Sequence, residues 1–312
     1  MTQNTPTKQL PDRAQVVIVG GGVIGSSVAY HLTKLGWTDV VLLEQSKLTS
    51  GTTWHAAGLI VSGGMTTETS AWMAKYTREL YEVLEAETEL STGFSPVGYI
   101  QTGATPERLD KLRREADFLR CIGIEREEIS AAEVQAMWPM LDVSDVLAGF
   151  YTANEGRADP ANCAMSLAKG ARMGGARVIQ DTGVTGFRME AGRVAAVQTT
   201  QGEIECEHVV NCGGMWARQI GTMAGVAVPL QAAEHAYVIT DQIEGMHRDM
   251  PIVEDPDRYA YYREETGGLM VGLFEPVGAA WSVDQVPMDF SFGEITNDWD
   301  RLAPFLELAM EP

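Results

Sequence analysis

Val16-Val17-Ile18-Val19 is an unbroken apolar run, the pattern of a short strand buried on both faces. It passes into Gly20-Gly21-Gly22-Val23-Ile24-Gly25, after which Ala29, Leu32 and Leu35 recur at helical spacing and Gly36 supplies the stop. Val40-Val41-Leu42-Leu43 predicts a second buried strand ending in Glu44, which completes one βαβ unit. From Thr66 to Glu89, Trp72, Met73, Tyr76, Leu80, Val83 and Leu84 repeat with helical period. Thr105-Pro106-Glu107 opens another helix, with Leu109, Leu112, Ala116 and Leu119 inward and Gly123 at its end. Ser130 and Glu133 stand at capping-box spacing before a short helix that stops ahead of Pro139. Asp159-Pro160 begins one more, closed by Gly174-Gly175.

Beyond that point the period changes from helix to strand. Val178-Ile179, Val184 to Met189, Val194 to Thr199 and Val209-Val210-Asn211 read as strands between glycine turns. Val228 to Leu273 is strand-rich again, most clearly at Tyr237 to Ile239 and Tyr259 to Tyr262. No internal repeat or low-complexity linker interrupts the pattern. The expected organisation is a flexible terminus at 1–14, a discontinuous nucleotide domain at 15–90 and 150–226, and a substrate domain at 91–149 and 227–312.

The length of 312 residues suits about two domains with a large core. Lys+Arg 23 against Asp+Glu 43 leaves a net charge of −20, a field that repels phosphate backbones and anionic lipid heads. Nucleic-acid binding is therefore not expected. No stretch approaches the roughly twenty apolar residues of a membrane span. Cys121, Cys163, Cys206 and Cys212 form no CxxC pair or zinc spacing, and read as small buried residues in a reducing compartment. Met1 to Gln15 is polar, so the expected compartment is the cytoplasm.

The glycines of Gly20-x-Gly22-x-x-Gly25 have separate tasks. Gly20 permits the tight turn, Gly22 lets backbone approach a pyrophosphate, and Gly25 lets helix pack on strand. The helix N-terminus then offers free N–H groups to the diphosphate. Val23 and Ile24 lie in that first turn, while Glu44, with Gln45 beside it, stands where it can accept ribose hydroxyls. This signature alone does not separate FAD from NAD. The following Leu48 to Leu59 segment is small and hydroxyl-rich, as close approach to a second phosphate or a flat ring requires, and favours FAD.

The segment Ser50-Gly51-Thr52-Thr53-Trp54-His55-Ala56-Ala57-Gly58-Leu59 resembles the dimethylglycine and sarcosine dehydrogenase family of D-amino-acid-oxidase-like flavoproteins, and the likeness runs from about Val16 onward. It implies an α/β fold: a Rossmann-like FAD-binding domain with a discontinuous antiparallel-sheet (α+β) substrate domain, as in glutathione reductase and D-amino-acid oxidase. By the same resemblance His55 holds FAD covalently through the flavin 8α-methyl group, a bond that a neutral imidazole nitrogen can form. Glu234 to Tyr237 and Tyr259 to Glu264 resemble the family's substrate strands, which makes His235 and Tyr261 the residues facing the flavin. His235 would take or polarise the amine proton, and Tyr261 would orient the substrate carboxylate or gate the pocket; the plainer alternative is core packing for both. Tyr262 falls on the opposite strand face and reads as structural. Val184, through its backbone, and Trp216 match positions near the FAD.

The implied reaction is oxidation of the N-methyl group of sarcosine or dimethylglycine by hydride transfer to flavin N5, with oxygen or an electron-transfer flavoprotein as acceptor. The resemblance breaks at the end of the chain. The expected folate-binding domain and the flavin domain's final segment are missing, so a truncated chain is expected. Two other readings stand beside it: a non-catalytic FAD-binding fragment, and a nicotinamide-dependent dehydrogenase, for which no nicotinamide-site βαβ unit follows Glu44.

Overall fold

The first strand, β1, runs from Arg13 to Val19 in a computed structural model that describes residues 10–310. Arg13 and Ala14, placed in the expected flexible terminus, pair as strand with Glu205 and Cys206; residues 1–9 lie outside the described ones. The first sheet unites β1 with β2 (Val40–Leu43), β8 (Arg177–Ile179), β9 (Val184–Glu190), β10 (Arg193–Thr199) and β11 (Gly202–Asn211) in the order β8-β2-β1-β11-β10-β9. Its first four strands are parallel, and β9 and β10 complete an antiparallel meander.

Alternation along the strands divides the apolar runs between two cores, as burial on both faces requires. Val16, Ile18, Val40 and Leu42 pack with residues of α1 (Val23–Lys34), α2 (Glu68–Thr88) and α5 (Pro160–Met173). Val17, Val19, Val41 and Leu43 face the other way, onto Val197, Ile204, Val286 and, from α6 (Ala217–Met223), Ile220. Each such aliphatic side chain contributes about 1.5–3 kcal/mol when fully buried. A Cβ on Gly170 would come within 2.7 Å of the Tyr30 ring, so that glycine is what lets α5 lie against α1.

The second sheet orders β12 (Tyr237–Ile239), β15 (Gly268–Leu273), β14 (Ala260–Glu265), β13 (Ile252–Asp255), β4 (Tyr99–Gly103), β6 (Ala148–Thr152) and β5 (Glu127–Ile129). Only β13 and β4 pair in parallel. One face packs Ile100, Val253, Tyr262 and Val271 under Leu302 of α7 (Trp299–Met310), and the Tyr262 hydroxyl donates to the Ala309 carbonyl at 2.7 Å. The other face carries Tyr261, with Glu254 opposite it in register. Two further helices, α3 (Pro106–Cys121) and α4 (Ala131–Met137), flank this unit, and β3 (Leu59–Ile60) with β7 (Gly156–Arg157) forms a two-stranded bridge to the first.

Four sequence expectations change. Strands β4, β5 and β6 lie inside 91–152, where the sequence pattern predicts only helices. Since β6 lies in the second sheet, the boundary expected at 150 falls after Thr152. In α2 the buried apolar positions are Ala71, Tyr81 and Leu84, whereas Trp72, Met73 and Val83 are exposed. Small Ala71 sets the contact face there, and Trp72 stacks on Tyr76 at 5.5 Å at the surface. Cys121 is exposed because it ends α3. Residues 281–292, assigned by sequence to the substrate domain, return to the first: Val286 enters its core, and Phe292 N–H donates to the Ser50 carbonyl at 2.8 Å.

Candidate functional site

The turn after β1 has the geometry its glycines predict. Gly20 has φ +114°, and a Cβ on it would lie 2.3 Å from the Cys212 carbonyl oxygen; one on Gly25 would lie 1.9 Å from the Gly20 carbonyl oxygen. Helix α1 begins at Val23 without an acidic first turn, and Gly22 caps it with no side chain. The Val23 N–H donates to Thr53 Oγ1 at 3.0 Å, which ties the helix start to the Ser50–Leu59 segment. A cavity of about 140 Å³ opens here, lined by Gly20, Gly22, Val23, Ile24, Glu44, Gln45, Gly51, Thr52, Thr53, Val184 and Trp216 among others. Glu44 is buried; its oxygens accept from Gly21 N–H at 2.7 Å and Ser46 N–H at 2.9 Å. Burial raises its pKa, against the lowering effect of those amides. Each oxygen keeps a lone pair for a further donor such as a hydroxyl.

A second cavity, about 380 Å³, adjoins the first and shares Thr52 and Met215 with it. His55, Ala56, Ala57, His235 and Tyr261 all line it, although His55 and Tyr261 lie more than two hundred residues apart in sequence. His55 stacks on Trp54 at 4.8 Å, and burial lowers its pKa while Glu294 works in the opposite sense. Tyr261 is 1 % exposed, its hydroxyl has no hydrogen-bond partner, and burial pushes its pKa up to about 12. The Tyr261 ring lies over Gly272, where a Cβ would sit 1.8 Å from Cζ. His235 is exposed on the cavity wall rather than held in a core. Phe274 packs against both residues, 5.7 Å from His235 and 5.2 Å from Tyr261.

Gly58 and Leu59 line neither cavity. Gly58, at φ +71°, has no room for a Cβ beside the Ala158 carbonyl, and Leu59 pairs with Arg157. Trp216 has a structural duty as well, since its Nε1–H donates to the Pro287 carbonyl at 2.9 Å. Sequence reasoning missed Met215 and Met288 in the first cavity, and Trp54, Tyr237, Trp281, Phe290 and Glu294 in the second. Trp54 could have been found, because it lies inside the Ser50–Leu59 motif; Trp281, Phe290 and Glu294 stand in a segment without regular period.

A Gly-rich turn at a helix start whose N-cap is glycine, a buried carboxylate at the end of β2 and an adjoining aromatic cavity are the features of a dinucleotide-binding protein. Residues 15–311 match the FAD dependent oxidoreductase (DAO) family, and the chain belongs to that family. It is 39% identical over 310 residues to the human mitochondrial sarcosine dehydrogenase, covering 98% of this chain and 33% of that protein. To the human mitochondrial dimethylglycine dehydrogenase it is 36% identical over 313 residues, covering 97% of this chain and 36% of that one. The chain thus spans about a third of the length of these curated relatives. Among solved structures, the L-proline dehydrogenase from P. horikoshii superposes with a TM-score of 0.82 at 26% identity, over 96% of this chain and 77% of that one.

The residues present fit FAD. The glycine turn and the start of α1, with glycine at its N-cap and no acidic first turn, suit the diphosphate, the remaining lone pairs of Glu44 suit a ribose, and the second cavity suits a flat ring beside the unpartnered Tyr261 hydroxyl.

Proposed function

We propose that this chain oxidises the N-methyl group of a small amino acid, sarcosine or dimethylglycine. The observation that carries this reading is the convergence of His55, His235 and Tyr261 on one cavity contiguous with the dinucleotide cleft. FAD, when bound, supplies the two-electron acceptor. Gly20, Gly22 and the first turn of α1 would hold its diphosphate, and Glu44 a ribose. His55 is proposed to carry it covalently; a pKa lowered by burial keeps the ring nitrogen's lone pair free for such a bond.

The chain's own residues would then prepare the amine. Oxidation needs the uncharged nitrogen, and His235, which lines the cavity, is proposed to take its proton. Tyr261, protonated over the whole working range, would donate its unpartnered O–H to the substrate. The proposed final acceptor, oxygen or an electron-transfer flavoprotein, is told apart by whether air reoxidises the reduced protein.

The test begins with in-gel flavin fluorescence of the acid-denatured protein and peptide mapping. Fluorescence should stay with the His55 peptide and vanish in His55→Ala; a bond that survives the substitution removes His55 from this role. Anaerobic mixing of the FAD-loaded chain with sarcosine or dimethylglycine should bleach the flavin, and hydrolysis of the resulting iminium by water should release formaldehyde and the demethylated amine. A chain that holds FAD yet stays oxidised with both amines would instead be a non-catalytic flavin-binding module.

A further inference from the structure

Two strained backbone positions and one unsatisfied donor gather around His55. Thr49 is β-branched and buried, yet it sits at φ +75°, and Phe292 stands at φ +48°. Residues with a Cβ avoid this left-handed region, bulky and β-branched ones above all. The third feature is the Trp54 Nε1–H, buried without a hydrogen-bond partner, although such a donor opposes folding. Strain of this kind persists only where the surroundings over-determine it, and it collects at functional sites.

All three features meet at the Trp54 indole. Thr49 N–H donates to the Gly21 carbonyl at 3.1 Å, and Trp54 N–H to the Thr49 carbonyl at 3.2 Å, which ties the indole's backbone to the dinucleotide turn. On its other side Phe292 is anchored through its N–H on the Ser50 carbonyl at 2.8 Å, and Ser291 Oγ lies 3.0 Å from Ser46 Oγ. The Phe292 ring stands edge-on to the indole at 5.9 Å. The His55 ring is stacked on that indole at 4.8 Å, 19° from parallel. Such a stack covers a face of the imidazole and leaves clear its edge, where the nitrogens and the in-plane lone pair lie. Burial and Glu294 are what move the His55 pKa, with no hydrogen bond among the causes, so stacking fixes the plane of the ring.

We propose that Trp54, braced by Phe292, is a positioning residue that holds the His55 imidazole in the plane from which a ring nitrogen joins the flavin 8α-methyl carbon. This inference rests on the covalent reading of His55 and deepens it. In that step a nitrogen–carbon bond forms while the imidazole N–H bond and one methyl C–H bond break. The two electrons of the C–H bond and both protons pass to the flavin ring, and dioxygen then removes them as hydrogen peroxide. A misplacement of about 1 Å can slow a step of this kind about 100-fold.

The experiment mixes the full chain, prepared without flavin, with FAD in air and follows fluorescence that stays with the acid-denatured protein. Dependence of the rate on FAD concentration separates reversible binding from bond formation. Trp54→Leu should lower the limiting rate about 10- to 100-fold, with half-saturating FAD within about threefold of wild type. Trp54→Phe, which keeps a flat ring for the stack, should stay within about threefold of wild type. Phe292→Gly removes the brace where glycine suits the backbone, so it decides the matter even if Trp54→Leu does not fold; the expected slowing is about fivefold. The deficits should persist on the alkaline plateau, where His55 is neutral in every variant. A deficit that vanishes there would mean that Trp54 merely keeps the ring neutral, and overturns the inference. So does a wild-type limiting rate in Trp54→Leu or Phe292→Gly, or a Trp54→Phe variant as slow as Trp54→Leu. A wild-type chain that takes up FAD and never links it refutes the His55 linkage itself, whereas linkage at an unchanged rate in Trp54→Leu refutes this inference alone.

Discussion

Gly272→Ala places one methyl group where the Tyr261 ring already lies. The two residues face each other across β14 and β15, and the added Cβ would sit 1.8 Å from Cζ and 2.2 Å from both Cε1 and the hydroxyl oxygen. Gly272 has no positive φ, so the backbone itself would accept alanine. The clash is with a stiff ring that is 1 % exposed and backed by Phe274 at 5.2 Å, leaving little room to retreat. Overpacking of this kind costs about 1–3 kcal/mol. Alanine in place of glycine within a strand returns about 0.5–1 kcal/mol. The net expectation is destabilisation of up to about 2.5 kcal/mol, together with displacement of Tyr261 and slower flavin reduction. Urea unfolding of the four proteins in a Gly272→Ala and Tyr261→Leu cycle measures it. In the Tyr261→Leu background the ring is gone and Gly272→Ala should be neutral or slightly stabilising, a coupling of about 1 kcal/mol or more. An equal cost of Gly272→Ala in both backgrounds would refute the steric argument.

Three further outcomes follow from the same coordinates. Tyr261→Phe should stabilise the fold by up to about 1 kcal/mol, since it removes a buried hydroxyl with no partner, while slowing reduction of the bound flavin; unchanged reduction would demote Tyr261 to packing. Arg126→Met should destabilise by about 3–5 kcal/mol in urea unfolding, because fully buried Arg126 pairs with Glu115 at 2.9 Å and bonds Gln101, Ser62 and Thr152, and its loss strands a buried carboxylate; a cost below about 1 kcal/mol would mean the carboxylates simply take up protons. Burial holds the folded-state pKa of His55 below its ordinary 6.5, so its contribution to stability is present above that value and is lost as pH falls through the folded value. His55→Gln should therefore flatten the loss of stability as pH falls below about 6.5, as unfolding of the flavin-free chain across that range would register; an unaltered slope contradicts the assignment.

Local pattern was enough for the first half of the site. Val16 to Gly25 and Val40 to Glu44 contain their own strand, turn and helix signals within one βαβ unit, and the glycine spacing is a statement about backbone room that the coordinates repeat atom by atom. Capping residues marked helix starts for the same reason: Thr105, Ser130 and Asp159 each accept from the backbone three residues on. In α2 the largest apolar side chains misled, because the buried stripe is decided by what packs against the helix: Leu84 meets α5, and Ala71 meets Leu119 of α3 and Ile124, while Trp72 stays at the surface. Strand β4 was illegible since its five residues, Tyr99 to Gly103, are all buried and include two polar side chains that lie in a buried polar network, which erases any alternation.

The sequence by itself determined the dinucleotide turn, the two-faced burial of β1 and β2, the motif carrying His55, and a negative charge large enough to bias what the chain attracts. Tertiary structure alone decided that His55, His235 and Tyr261 share a cavity, that residues 281–292 fold back to close it, and that Gly272 makes room for the Tyr261 ring. The division has a physical cause. Turn geometry, caps and burial period are set within a few residues of chain, whereas a cavity wall is assembled by pairings such as β13 with β4 and Phe292 with Ser50, whose partners are chosen by packing across the whole molecule.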